Sequence, residues 1–248
     1  TSNTVTGLYE SQFGSSRVLV ITGQADTTFY GKGLSYVHEA EKQIQMLSSV
    51  CRRVESPRHI SQLADSFQAV VSDMFTGRPQ PGAIEIPIDL QYANTKKVAI
   101  ELPSDNIFEA DASVISRVAD KIKEASKRIF VVGGGVISSE ATQELCELAE
   151  QLDAPVLTTV DGRGVLPEDH RLCMGNYYNS AGIYSAIQDA DLTIAIGTKF
   201  AVGVDGQFHE QTPPGELIQI DIDGNMIGRT HKAAIGVLSD AKSALNQL

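Results

Sequence analysis

Short apolar runs alternate with helical patterns along almost the whole chain, and that alternation admits few folds. Arg17 to Thr22, Ala83 to Ile86, Arg128 to Val132, Pro155 to Val160, Leu192 to Ile196, Leu217 to Ile222 and Ile235 to Leu238 read as buried strands, with Val50 to Val54 a further one. Gly23 closes the first run, and Pro87, which cannot donate to a ladder, ends the second. Between strands the apolar period lengthens. Ile60, Leu63, Ala64, Phe67, Val70, Val71 and Met74 recur at three- and four-residue steps, with Ser56-Pro57 as helix start and Gly77 as stop. Val114, Ile115, Val118 and Ile122 mark another helix, and Ala141, Leu145, Leu148, Ala149 and Leu152 a third, with Ser138 as its N-cap. A last helix covers roughly Asp240 to Leu248. The pattern predicts an α/β protein of parallel sheets with helices on both faces, three layers in each domain.

The alternation breaks once. Residues 91–108 contain Asn94-Thr95-Lys96-Lys97 and Leu102-Pro103-Ser104-Asp105, which are polar or turn-forming. The expected organisation is a first domain over residues 1–90, a linker over 91–108 and a second domain over 109–248. Charge narrows the function classes. The net charge is −11 over 248 residues, with Lys and Arg scattered, so no nucleic-acid footprint is present, and an acidic surface repels anionic membranes. No apolar run approaches the roughly 18 residues needed to span a bilayer. Cys51, Cys146 and Cys173 are odd in number and lack metal-site spacing, which fits reduced thiols in a cytoplasmic protein and no metal ligated by this chain.

Two places carry chemistry. Gly133-Gly134-Gly135 lies between a strand and a helix, where glycines let backbone amides approach a diphosphate. As a dinucleotide fingerprint it is incomplete, with Ser138 where the third glycine belongs, and a tight turn without ligand reads equally well. Asp161 ends the next strand, where a carboxylate can hold a ribose, and Asp221 and Asp223 close a later strand. Asp161-Gly162, Asp205-Gly206 and Asp223-Gly224 also suit turns. His38, among Glu39 and Glu41, is either a proton shuttle or an ordinary surface histidine. There is no Gly-x-Ser-x-Gly elbow, Walker loop or His-Glu-x-x-His.

Taken together, several segments resemble the thiamine-diphosphate enzymes, the group of acetohydroxyacid synthases and 2-oxo acid decarboxylases. Gly77 to Asp89 (GRPQPGAIEIPID) is similar to the close of their pyrimidine-binding domain. Thr1 to Gly14 resembles the helix after that domain's Gly-Pro-Gly turn, and Arg17 to Gln24 (RVLVITGQ) the next strand. Tyr36 to Leu47 matches the segment where synthases carry Phe-Gln-Glu and pyruvate decarboxylase a His-His pair. Val131 to Gly135, Thr158 to Pro167, Ile194 to Gly197 and Ile220 to Asp223 resemble the Rossmann-like central domain.

The resemblance implies a thiamine-diphosphate-dependent lyase or transferase acting on 2-oxo acids, either condensing two of them or releasing an aldehyde. It implies thiamine diphosphate and Mg2+, and a homodimer or homotetramer with the cofactor between subunits. His38 is then the catalytic candidate, and Gln24 lies on the cofactor side. The family's catalytic glutamate precedes the Gly-Pro-Gly turn, and its Gly-Asp-Gly and Asn-Asn pair bind the diphosphate; none of these is found here. The expectation is therefore a truncated pyrimidine-binding domain plus a central domain, inactive by itself, with unpaired edges on its first sheet. The synthases hold FAD in the central domain, and Gly133, Gly134, Gly135, Thr158, Thr159 and Asp221 fall on matching positions. Their Gly-Met-His-Gly run falls on Tyr178-Asn179-Ser180-Ala181, and their Gly-x-Arg-Phe-Asp-Asp-Arg run on Gly197 to Gly203, so an arginine and two aspartates are missing. FAD, an ADP-like group or an unliganded domain all stay open. The reading from another class is a stand-alone Rossmann-like module that binds FAD, NAD or ADP, or one that serves as a subunit contact.

Overall fold

The structure is a computed structural model and describes residues 1–101, 103, 108–176, 181–201 and 212–248. Two compact units divide the chain, Thr1–Asn106 and Ile107–Leu248. The division falls inside the polar stretch 91–108.

The first unit comprises α1 (Val5–Phe13), β1 (Leu19–Gln24), α2 (Gln43–Ser48), β2 (Arg53–Glu55), α3 (Leu63–Phe75), β3 (Gly82–Pro87) and α4 (Ile88–Tyr92). Its strands form a parallel sheet in the order β1-β3-β2, with Gln24 opposite Pro87 and Glu55 opposite Ile84. The central strand β3 is almost wholly buried. Leu8, Leu47, Val50, Cys51 and Ala83 pack together on one side. On the other side α3 lies so close that a Cβ on Gly82 would sit 2.7 Å from Val70 Cγ1. Burial pushes the Cys51 thiol up to about 11, which keeps it protonated and unreactive at neutral pH.

Local expectations in this unit need four corrections. β1 runs through Gly23 to Gln24, because Gly23 and Gln24 keep their pairing with β3. The expected strand at Val50 to Val54 shrinks to Arg53–Glu55; Val50 and Cys51 are buried but close the turn after α2 through bonds to the Leu47 carbonyl. Ser56 does not cap a helix. Its hydroxyl donates to Glu85 at 2.9 Å, and the helix starts later, with a 3₁₀ turn at Ile60–Gln62 leading into α3. There the Gln62 side-chain oxygen accepts from the backbone N–H groups of Arg58 and His59. Finally α4 reaches Tyr92, so the irregular stretch begins at Ala93.

The second unit contains α5 (Ala112–Glu124), β4 (Arg128–Val132), α6 (Gly134–Ser138), α7 (Thr142–Leu152), β5 (Val156–Thr158), β6 (Cys173–Asn176), α8 (Ala181–Ile187), β7 (Leu192–Ile196), β8 (Glu216–Asp221), β9 (Ile235–Leu238) and α9 (Ala241–Gln247). All strand pairs are parallel, in the order β6-β5-β4-β7-β8-β9. Counted within the unit this is 3-2-1-4-5-6, the order of doubly wound nucleotide-binding sheets, with its switch point between β4 and β7. Alternate residues feed two cores. Phe130, Val132, Ile194 and Ile196 pack with Ile115, Val118 and Leu145 on one face. Ile129, Val131 and Ala195 pack with Ile187 and Phe200 on the other. Burial on both faces explains why these strands read as continuous apolar runs. Asp111 and Asp240 cap α5 and α9. Ser138 is the last residue of α6 and not the cap of α7, which starts at Thr142 after a turn at Ser139 and Glu140. The strand β6 has no counterpart in the sequence reading.

Candidate functional site

In the first unit, everything of chemical interest gathers beyond the carboxyl ends of β1 and β3. The chain leaves β1 at Gln24, makes a folded loop, and returns to the same residue. Gln24 is buried, and its side-chain amide pairs with both backbone groups of Ala40: Nε2 donates to the Ala40 carbonyl at 3.1 Å, and Oε1 accepts the Ala40 N–H at 3.3 Å. Oε1 also accepts from Ala25 N at 2.8 Å. Inside the loop Phe29 stacks on Tyr36 at 5.2 Å, Glu39 accepts from Gly31 N, and Asp26 caps the turn at Thr28. The Arg58 guanidinium lies 3.8 Å over the Tyr30 ring. An open cleft of about 440 Å³ on the loop is lined by Gly33, Ser35, Tyr36, Glu39, Glu41 and Lys42.

His38 stands at the tip of this arrangement, exposed, in a turn with φ +64°. A non-glycine residue pays for that conformation in strain, so its neighbours must hold it. Val37, its chain neighbour, and Leu34, four residues earlier, are exposed at 72% and 60%. Gln24 is different. Both of its N–H groups and its oxygen are engaged within the protein, so it builds the loop's base and has no group left for a ligand.

Asp89, at the start of α4, fastens the loop from the side. Its carboxylate accepts from Thr27 N at 3.0 Å and Thr27 Oγ1 at 2.5 Å. Burial alone would raise its pKa, but the bonds from Thr27 and from the first amides of α4 outweigh it and hold the group below the 3.8 of an ordinary aspartate. A depressed folded-state pKa contributes stability above the unfolded value and loses it as pH falls through the folded one. Wild type should therefore exceed Asp89→Asn in melting temperature above about pH 4, with the advantage vanishing at lower pH. Parallel melting curves between neutral and acid pH check this; a constant difference throughout would contradict it.

In the second unit, the predicted residues also meet at one sheet edge. Val132, Thr158, Ile196 and Ile220 share a register row, so Gly133, Thr158, Gly197 and Asp221 line the carboxyl ends of β4, β5, β7 and β8. Thr158 is buried and bonds the Gly175 carbonyl at 3.4 Å. Thr159 is half-buried, and its N–H donates to Val132. The Asp221 side chain accepts from Asp223 N at 2.9 Å, an Asx turn.

The glycine turn packs on one side against the chain itself. A Cβ on Gly133 would lie 2.3 Å from the Gly197 carbonyl oxygen, and one on Gly135 2.6 Å from Gly197 Cα. The space beside Gly133 and Gly135 is filled by another turn of the same chain. Three of the amides are engaged as well: Gly133 N donates to Ile196, Gly135 N to Gly197 and Val136 N to Gly133. The glycines of β4–α6 are thus required for packing against the turn after β7. Of the two other segments matched to flavin contacts, residues 178–180 and 202–203 lie outside the described residues, as do Leu102, Ser104, Asp105, Asp205 and Gly206. Thr198 and Phe200 are buried. The sequence reading missed Gln219, which is buried and joins this turn to the next: Nε2 donates to the carbonyls of Thr198 and Met226, and Oε1 accepts from Gly228 N.

One grouping of metal-type ligands occurs among the described residues: Cys146, Glu150 and His170, with ligand atoms within 4.8 Å of one another. Leu172 N donates to His170 Nδ1 at 3.2 Å, which places the ring proton on Nε2, facing Glu150 at 3.1 Å. That nitrogen has no lone pair for a metal. The Cys146 thiol is held protonated by burial and then by Glu150 and Glu147. The cluster is a hydrogen-bonded joint between α7 and the segment before β6. It is also unlike the all-oxygen set that Mg2+ takes. No helix is long and apolar enough to cross a membrane among the described residues.

Comparison with known proteins bears on both units. Residues 115–248 match the family described as thiamine pyrophosphate enzyme, central domain. The whole chain is similar to the "Probable acetolactate synthase large subunit" of Methanocaldococcus jannaschii, at 32% identity over 256 residues, covering 100% of this chain and 43% of that protein. It is also similar to the acetolactate synthase large subunit of Corynebacterium glutamicum, at 32% over 254 residues, covering 100% of this chain and 40% of that protein. The chain thus spans under half the length of these relatives. In fold it resembles the crystal structure of benzoylformate decarboxylase from Polynucleobacter necessarius, with a TM-score of 0.82, 20% identity, and coverage of 99% of this chain and 46% of that one.

Proposed function

The chain belongs to the thiamine pyrophosphate enzymes, and from that membership we propose that the protein containing it is a thiamine-diphosphate-dependent lyase or transferase acting on 2-oxo acids, by decarboxylation or acetolactate-synthase-like carboligation. The observation that carries the reading is the likeness of the whole chain to acetolactate synthase large subunits. The exposed loop on the first sheet supports it.

When bound, thiamine diphosphate supplies the carbon nucleophile and electron sink for cleavage beside the 2-oxo carbonyl. This chain contributes the surroundings. Leu34 and Val37 offer an apolar wall to the pyrimidine ring. His38 gives or takes a proton at the substrate's carbonyl oxygen. Gln24 holds the loop and touches neither cofactor nor substrate. The described residues present no oxygen-rich cluster for Mg2+, and the diphosphate and its ion are assigned to other residues. Flavin is not part of this reading. A cytoplasmic homodimer or homotetramer, without nucleic acid, completes the proposal.

Product analysis tests it. Supplied with thiamine diphosphate, Mg2+, pyruvate and a longer 2-oxo acid, the protein containing this chain should release carbon dioxide and form either a ligated hydroxy-oxo acid or an aldehyde. No carbon dioxide from any 2-oxo acid tried would overturn the reading.

A further inference from the structure

We propose that Glu85 is the positioning residue that sets the His38 loop, acting through Gln24 and Gln43. The inference rests on the reading that His38 handles a proton. Glu85 sits in β3, the central strand, and is fully buried. Its Oε2 accepts from Gln24 Nε2 at 3.1 Å and Gln43 Nε2 at 2.9 Å. Its Oε1 accepts from Ser56 Oγ at 2.9 Å and faces Arg58 at 4.0 Å. The five residues come from β1, β3, the start of α2 and the segment after β2, so one carboxylate ties four parts of the chain together beneath the loop.

The decisive consequence lies in which way the Gln24 amide points. With a carboxylate on one side, Gln24 must present its NH2 group there; the flipped amide would set oxygen against oxygen. That choice leaves the second N–H and the oxygen aimed at Ala40, where they pair with its C=O and N–H as a neighbouring strand would. Gln43 is oriented the same way and donates its other N–H to the Gly23 carbonyl at 2.9 Å. Ala40 lies two residues beyond His38, whose φ of +64° needs external support. Glu85 therefore fixes His38 through a relay of two hydrogen bonds and touches neither the loop nor its ligand. No local motif advertises this, since Glu85 lies 61 residues from Gln24 and 42 from Gln43.

Three variants test it: Glu85→Leu, Glu85→Gln and Gln24→Leu. The readouts are hydrogen exchange at the Ala40 amide, and kcat and KM for a 2-oxo acid, in the protein containing this chain. Glu85→Leu and Gln24→Leu should each speed Ala40 exchange by about tenfold or more and lower kcat more than they raise KM. Glu85→Gln should restore most of both. Its carbonyl oxygen can serve the two glutamines while its NH2 group donates to Ser56, whose hydroxyl turns to accept. Gln24→Leu keeps the test open if Glu85→Leu fails to fold. A folded Gln24→Leu protein with unchanged Ala40 exchange overturns the proposal. If Ala40 exchange rises as expected but His38→Ala turns over normally, the clamp stands and the role of His38 falls.

Discussion

Replacing Gly197 by alanine should destabilise the second unit by about 3–5 kcal/mol, among the largest effects a single added methyl can have. Two costs combine. Gly197 has φ +58°, where a Cβ is disfavoured by about 1–2 kcal/mol. The new methyl would also meet Gly135 Cα at 2.6 Å and the Gly135 carbonyl carbon at 2.9 Å, both backbone atoms at the head of α6. Backbone cannot turn aside as a side chain can, and β4 and β7 would have to separate at their carboxyl ends. Gly228→Ala is the control. It has φ +71°, but its nearest neighbour is at 3.9 Å, so only the conformational cost applies. Denaturant titration of the two variants separates strain from contact, and equal midpoints would show that the turns do not touch.

Replacing His38 by alanine should lower turnover of a 2-oxo acid about a hundredfold, the lower end of what a positioned acid–base group contributes. The expectation follows from three features. The imidazole is exposed beyond the carboxyl ends of two parallel strands, where ligands of such sheets bind. It is exposed and occupies a left-handed backbone conformation that costs energy. The loop beneath it is fastened at Gln24, at Asp89 and by the Phe29–Tyr36 stack, so the position is held. An exposed side chain contributes little to stability, and the variant should melt with wild type.

Much of the architecture was legible because its cause was local. β4, β5, β7 and β8 are buried on both faces, and a doubly buried strand writes itself as an unbroken apolar run. α3, α5 and α7 bury one stripe each and show the three-and-four spacing. What failed had distant causes. Ser56-Pro57 looks like a helix start, but its hydroxyl is claimed by a carboxylate 29 residues away. β6 is half-buried along its length and carries Gly175 and Asn176, so its pattern is faint. Gly133 and Gly135 suit a ligand or a tight turn equally in the sequence, because the turn packed beside them, at Gly197, lies in another strand connection. Gln24 was legible as a residue of interest, but its duty as the base of a loop depends on Glu85 and Ala40, which no spacing rule joins to it. At the second sheet edge, Gly133, Gly134, Gly135 and Asp221 stand out by their place at strand ends and Thr158 and Thr159 by resemblance, and hydrogen bonds within the protein engage Gly133, Gly135, Thr158, Thr159 and Asp221.

The central claim is that this chain brings a held imidazole to a thiamine-dependent reaction. Its most direct measurement is kcat for carbon dioxide release from pyruvate by wild type and His38→Ala, both saturated with thiamine diphosphate and Mg2+. The account predicts a fall of about a hundredfold in kcat with KM changed by less than about threefold. Equal kcat values in two equally folded proteins would contradict it.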